Sequence, residues 1–553
     1  MYYGAGSGTL FELKFVVRWL EHVRASCPGI RMSNIRLSVA LVLIGILSPC
    51  QRVRAISTAA HDLLQQIQQL IRQDNLTEAR RQLTSALGKY PNEAGFYNLL
   101  GVVDAQQGQY QAAESDFKDA IGKDGRLSGA YLNLGHLYQE NAVAHPRGRL
   151  KALEIYRQLL KFEPSNDEAN YQSAVLLEQR GSYRESLEHL SRLASAEQER
   201  AQVLSLRCAD QVGLGERSQA DAEAAHLLAN PGLTEADVIS ILPTLEAHQR
   251  DDLEVQFLGA LVDRRLASFT TMHRLGLVYK RLGQLDRARA ILEKEAEGQP
   301  NSVSPLIELA RVADQQRDYR AALGYLAHAR DLEPQNAGVH FFFGMVCVEM
   351  DLGREAYNSL KQAATLDPSN PYYNYALGAV SLELDLPEAV SRFREYCELR
   401  PQDFRGKFAL GVAYFYNHKL EPARTELESV ANHPETSAGS HYYLGRIADQ
   451  QDNLPKAEIE LKHALEANRN YADAYAELGH VRLKEKQYAL AERNLKRALE
   501  LDPENYTATL NLMILYERTN DVRAEAQTSR FEKLKDRRSV KVAEFFRIIE
   551  VRP

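Results

Sequence analysis

A period of 34 residues runs through this chain from about residue 60 almost to its end. The clearest copy is AYAELGHVRLKEKQYALAERNLKRALELDPEN, in which Tyr475, Leu478 and Gly479 are followed by Ala491, Leu495, Ala498 and Pro503. The same spacing returns as Tyr97, Leu100, Gly101, Ala113, Phe117 and Ala120, and again as His340, Phe343, Gly344, Ala356, Leu360, Ala363 and Pro368. A fixed period of this length excludes one large globular core. Each copy is a small unit whose apolar face only a neighbouring copy can cover.

Within a copy, apolar residues recur at steps of three and four, the pattern of two amphipathic helices. Gly479 and its equivalents carry no side chain, which lets the two helices approach closely. Pro300, Pro334, Pro368, Pro401 and Pro503 stand where the second helix must stop. Pairs such as Gly108-Gln109 and Gly283-Gln284 break the chain between helices. The repeats fall at about 60–93, 94–127, 128–166, 167–200, 201–234, 235–268, 269–302, 303–336, 337–370, 371–403, 404–437, 438–471, 472–505 and 506–538. The third carries extra residues around Asn141 to Arg149, and the tenth is one residue short near Leu386-Pro387. The sixth has no Leu-Gly pair and places Pro243 inside its first helix, which marks it as the weakest joint, yet the spacing to Gly276 stays in phase, so a helical hairpin of repeat length is expected there.

The spacing aromatic-x2-Leu-Gly-x2-Tyr, then Ala-x3-Phe, then Pro resembles the tetratricopeptide repeat, and the resemblance covers nearly all of the chain after residue 56. It implies an all-α, right-handed superhelical solenoid of about 14 helical hairpins. It also implies that first helices line a concave groove, with the residue three before each glycine and the residue after it facing inward. Four successive repeats place an aromatic three before the glycine: Phe341, Tyr375, Phe408 and Tyr442. Met345, Val412 and Phe415 add apolar area, and Arg446 stands at one end. The candidate partner-binding groove is therefore Phe341, Met345, Tyr375, Phe408, Phe415, Tyr442 and Arg446, with inter-helix packing as the competing role of the aromatics. The asparagine ladder and the terminal-carboxylate clamp of some family members are not matched, since Asn133 and Asn511 stand isolated in the sequence.

The first 55 residues differ from the body. They carry a net charge of +5 and the remainder −12. Arg31 and Arg36 precede the run Leu37 to Leu47, LSVALVLIGIL, which is too short to span a bilayer but suits the apolar stretch of a secretory signal. Val53-Arg54-Ala55 resembles a cleavage triplet, which starts the mature chain at Ile56. Met32 is a candidate start, with residues 1–31 an extension before it. Two other readings stay open: an uncut signal anchor, and a lipoprotein modified at Cys50 after Leu47-Ser48-Pro49. Residues 1–55 are thus expected as signal peptide or anchor, 56–538 as repeats and 539–553 as a C-terminal tail. Membrane contact is expected only through an uncleaved 1–55 or a lipidated Cys50.

No catalytic motif is present: GxxxxGK[ST], GxGxxG after a strand, HExxH and GxSxG are all missing. The five cysteines, Cys27, Cys50, Cys208, Cys347 and Cys397, show neither zinc nor disulfide spacing. His433 and His441 lie near Glu435, but such turn residues are ordinarily solvated, so no metal and no cofactor is expected. An acidic body repels phosphate backbones, so nucleic acid is not an expected partner. The expected function is a non-enzymatic scaffold for protein or peptide segments, of the exported bacterial type, in the periplasm or cell envelope. The rivals are a membrane-tethered or cytoplasmic adaptor and, more remotely, an enzyme with a divergent site within the repeats.

Overall fold

The computed structural model describes residues 58–140 and 147–538. The expected signal or anchor, most of the insertion at 141–149 and the tail from 539 lie outside the described residues. Among the described residues there are 29 helices and no strand. Twenty-eight form fourteen consecutive pairs, from Thr58–Arg72 with Leu76–Lys89 to Tyr506–Arg518 with Ala524–Arg538. The short Ser195–Gln198 is the exception. The expected all-α solenoid of helical hairpins is what the chain forms. It divides into two compact units at Leu282/Gly283, in the turn of the seventh pair. Among the described residues no helix is long and apolar enough to cross a membrane.

The close approach inside a pair is visible at the conserved spacing. A Cβ built on Gly101 would sit 2.6 Å from the Phe117 ring, and one on Gly479 would sit 2.6 Å from Leu495. Both partners are fully buried. Any larger side chain at these glycines would push the second helix away. The prolines act as expected: helix Tyr319–Leu332 stops before Pro334 and Tyr488–Leu501 before Pro503.

The turn inside every pair whose turn lies among the described residues follows one backbone recipe that the residue types hide. One residue adopts a positive φ, and the next amide reaches back five residues. Examples are Gln109 N–H to the Asp104 carbonyl (2.8 Å), Asp318 to Ala313 (2.8 Å) and Gln487 to Arg482 (2.8 Å). This closes the C-terminal end of the first helix. Glycine fills the positive-φ position at Gly108, Gly181, Gly215 and Gly283, but Arg317, Asp351, His418 and Lys486 adopt it too. Repeat geometry imposes the conformation even where the side chain resists it.

The sixth pair keeps full length, Glu235–Ala247 and Asp251–Asp263, with Pro243 carried inside the first helix. A reciprocal cap starts that helix: Thr234 N–H donates to Asp237 Oδ2 (2.9 Å), and Asp237 N–H to Thr234 Oγ1 (3.4 Å). An ionic network replaces the missing Leu-Gly contact. The buried Glu254 carboxylate accepts from Arg274 Nε (2.8 Å) and Arg281 (3.0 Å) of the following helix. Arg250 bridges Asp252 (2.8 Å) and Asp221. The weakness expected from Pro243 therefore meets a set of charge contacts, anchored on the buried Glu254 and Arg250, that periodicity does not reveal.

Candidate functional site

The seven proposed groove residues do not form one open surface. Tyr375, Phe408, Phe415 and Tyr442 are only 7%, 8%, 3% and 8% exposed. Tyr375 packs on Phe393 and Tyr396, with ring centroids 5.4 and 4.9 Å away. Phe408 lies 6.2 Å from Tyr443 and fills the space that Gly439 leaves, where a Cβ would meet the ring at 2.7 Å. Phe415 and Tyr442 close on the same Tyr443, at 5.4 and 5.1 Å. These four rings hold neighbouring helices together. A Phe408→Ala change that spares folding, as a purely groove-lining ring would allow, is therefore not expected.

Phe341, Met345 and Arg446 remain partly exposed. Helix Ala337–Glu349 is the unusual element, because Phe341, Phe342, Phe343 and Met345 all keep part of their surface in solvent. Phe341 stacks at 4.9 Å on Tyr373 of the next pair. Arg311 lies 5.5 Å over Phe342, and Arg330 lies 4.8 Å over Phe343. Phe342, one residue past the aromatic three before Gly344, escaped the sequence reading. The run of three phenylalanines was its signal.

Arg446 occupies the other end. Its guanidinium lies 4.7 Å over Phe415, 5.6 Å over Tyr442 and 5.8 Å over Tyr443. It pairs at 3.8 Å with Glu477 on the next first helix. Burial pushes the Glu477 carboxyl up, against the pull of Arg446. A polar row continues from there. Asp449 pairs with Lys484 (2.8 Å) and His480 (3.7 Å), and His480 Nδ1 meets Asn511 Oδ1 (2.8 Å). Asn511 is therefore not isolated. Nor is Asn133, which donates to Asn98 across adjacent first helices at 3.0 Å. The partner residues sit one period away, at a distance the sequence separates by more than thirty positions.

The strongly shifted carboxyls belong to packing. Asp210 is fully buried in helix Ala201–Gly213, at a position where other repeats carry valine or isoleucine such as Val103, Val346 and Ile447. Neither of its oxygens has a hydrogen-bond partner among the described residues. Ser186, beside it, donates to the Ala174 carbonyl at 3.0 Å. Burial pushes the Asp210 carboxyl up to about 8, with the Glu178 charge adding to it and the neighbouring Ser186 hydroxyl pulling the other way. Asp116 is pushed up to about 7 by burial and by Asp104, which itself pairs with Arg80. Cys208, Cys347 and Cys397 sit in helices as free thiols that burial pushes up to about 12, 11 and 11, which makes them poor nucleophiles. His433 stacks on Phe404 at 3.4 Å and accepts from the Glu435 N–H at 3.3 Å, away from any shared cluster with His441.

Family models described as tetratricopeptide repeat match residues 64–127, 269–294 and 472–505. No curated protein matches. Among solved structures, yeast Tom70 is 17% identical, with 84% of this chain and 95% of that chain covered and a TM-score of 0.35. The Cut9 and Hcn1 hetero-tetramer of the APC/C gives 14%, 83%, 97% and 0.34 in the same order. Pseudomonas aeruginosa pilF gives 22%, 39%, 97% and 0.33. The repeat pattern is matched in both compact units, and the same helix pair recurs fourteen times through the described residues: the chain carries tetratricopeptide repeats.

Proposed function

We propose that the chain is a non-enzymatic scaffold that binds protein segments along the first helices of repeats nine to twelve. The observation that carries this reading is helix Ala337–Glu349, which leaves Phe341, Phe342, Phe343 and Met345 each partly open to solvent. Rigid aromatic faces offer large contact area at low entropic cost, and buried aromatic anchors dominate binding energy at interfaces. Arg311 beside Phe342 and the Arg446–Glu477 pair add charge at the two ends of this stretch. The partner is a segment with apolar anchors and polar flanks, bound as a helix or an extended strand. Residues 1–55 direct the chain out of the cytoplasm, to the periplasm or cell envelope.

Two experiments test the two halves. Phe341→Ala with Met345→Ala should weaken partner binding at least tenfold while the melting temperature stays within about 2 °C. Retained binding by the folded double variant would remove the groove. Amino-terminal sequencing of the fractionated protein should find the chain starting at Ile56 outside the cytoplasm. A full-length cytosolic chain would remove the export reading.

A further inference from the structure

Three ligand-bearing side chains outside the groove converge in the twelfth pair. His441 is on helix Ser437–Gln450, while Glu460 and His463 are on helix Leu454–Ala467, three residues apart and so on one face. One ligand atom from each lies within 4.8 Å of the other two. His441 Nδ1 is 2.8 Å from Glu460 Oε2, and the two imidazole rings are 5.1 Å apart, inclined at 67°. His441 and Glu460 are mostly covered, whereas His463 is exposed, which leaves an entry path.

We propose that His441, Glu460 and His463 form a binding site for Zn²⁺ that clamps the two helices of the twelfth pair. Zinc takes imidazole nitrogen and carboxylate oxygen at about 2.0–2.2 Å in a tetrahedron, so its ligand atoms stand about 3.3–3.5 Å apart. The His441–Glu460 pair stands closer than that and all three ligand atoms lie within 4.8 Å of one another, so modest side-chain movement brings the set to tetrahedral spacing. Two imidazoles with one carboxylate suit zinc and its late first-row neighbours, not the all-oxygen cations. Three protein ligands leave the fourth position to water. Two helices supply them, so bound metal resists separation of the pair. Lys456, one turn before Glu460 and paired with Glu428 at 4.0 Å, offsets part of the carboxylate charge.

The test uses the full chain without an affinity tag, stripped with chelator and titrated with Co²⁺ and then Zn²⁺. One Co²⁺ per chain should bind with the visible absorption of a four- or five-coordinate ion, and Zn²⁺ should displace it and raise the melting temperature. His463→Ala removes an exposed side chain, so it should fold normally yet lose affinity by about tenfold or more. Glu460→Gln should do likewise, and His433→Ala should change nothing. Absence of the cobalt spectrum, or binding unchanged in folded His463→Ala, would overturn the proposal.

Discussion

Asp210 is an acid in a position built for valine, and it makes stability depend on pH in a defined direction. Its carboxyl titrates near 3.8 in the unfolded chain and at about 8 in the folded one. Below about pH 4 both states are protonated and the position costs nothing through ionisation. Between about 4 and 8 the unfolded state is ionised while the folded state holds its proton. Stability there falls by about 1.4 kcal/mol per pH unit. At pH 7 the accumulated loss is about 4 kcal/mol, an upper figure because local opening can admit water. Asp210→Asn keeps the shape and removes the titration. A solenoid opens locally, so the assay is hydrogen exchange of helix Ala201–Gly213 in both proteins at matched pH values. At pH 8 the variant should protect this helix at least a hundredfold better. At pH 4.5 the difference should shrink to a few-fold. Equal protection at pH 8, or a difference that does not change with pH, would refute the assignment of a buried neutral acid.

Other consequences follow from particular contacts. Arg274→Met leaves the buried Glu254 to Arg281 alone and should destabilise helix Asp251–Asp263 by about 2 kcal/mol. Adding Glu254→Met should restore most of it, read as the coupling in a double-mutant cycle by denaturant titration. Phe408→Ala empties a buried inter-helix site and should cost about 3–5 kcal/mol, lowering the local melting transition with or without a partner. Lys486→Gly relieves a positive φ and should raise stability by about 1 kcal/mol in the same titration.

The helix pairs were legible because a single local rule, repeated, writes them into the chain. Gly479 under Leu495 and Pro503 after its helix are read directly from spacing. The contacts that depart from the repeat were not legible. The positive-φ turn at Arg317 or Lys486 is imposed by neighbouring geometry and opposes the propensity of the residue. The sixth pair reads as a weak hairpin because its Leu-Gly contact is gone. Glu254, Arg274 and Arg281 take over across repeats, and charge partners twenty or more residues apart leave no periodic trace. The groove aromatics were correctly placed on first helices, but helix-wheel arithmetic does not say how deeply a ring is covered. Tyr375 and Phe408 are buried by Tyr396 and Tyr443, while Phe341 and Phe342 stay partly open to solvent. His441 was noticed beside His433, its neighbour in sequence. Its neighbours in space are Glu460 and His463, from the facing helix.

The central claim is that this solenoid holds a protein segment against the partly exposed aromatics of its ninth repeat. The direct measurement is site-specific photo-crosslinking in the native host, with a crosslinking residue at Met345 and, as comparison, at the exposed Leu490 on a second helix. The account predicts a discrete protein adduct from position 345, lost in the Phe341→Ala background, and none from position 490. No adduct at 345, or the same adducts from both positions, would contradict it.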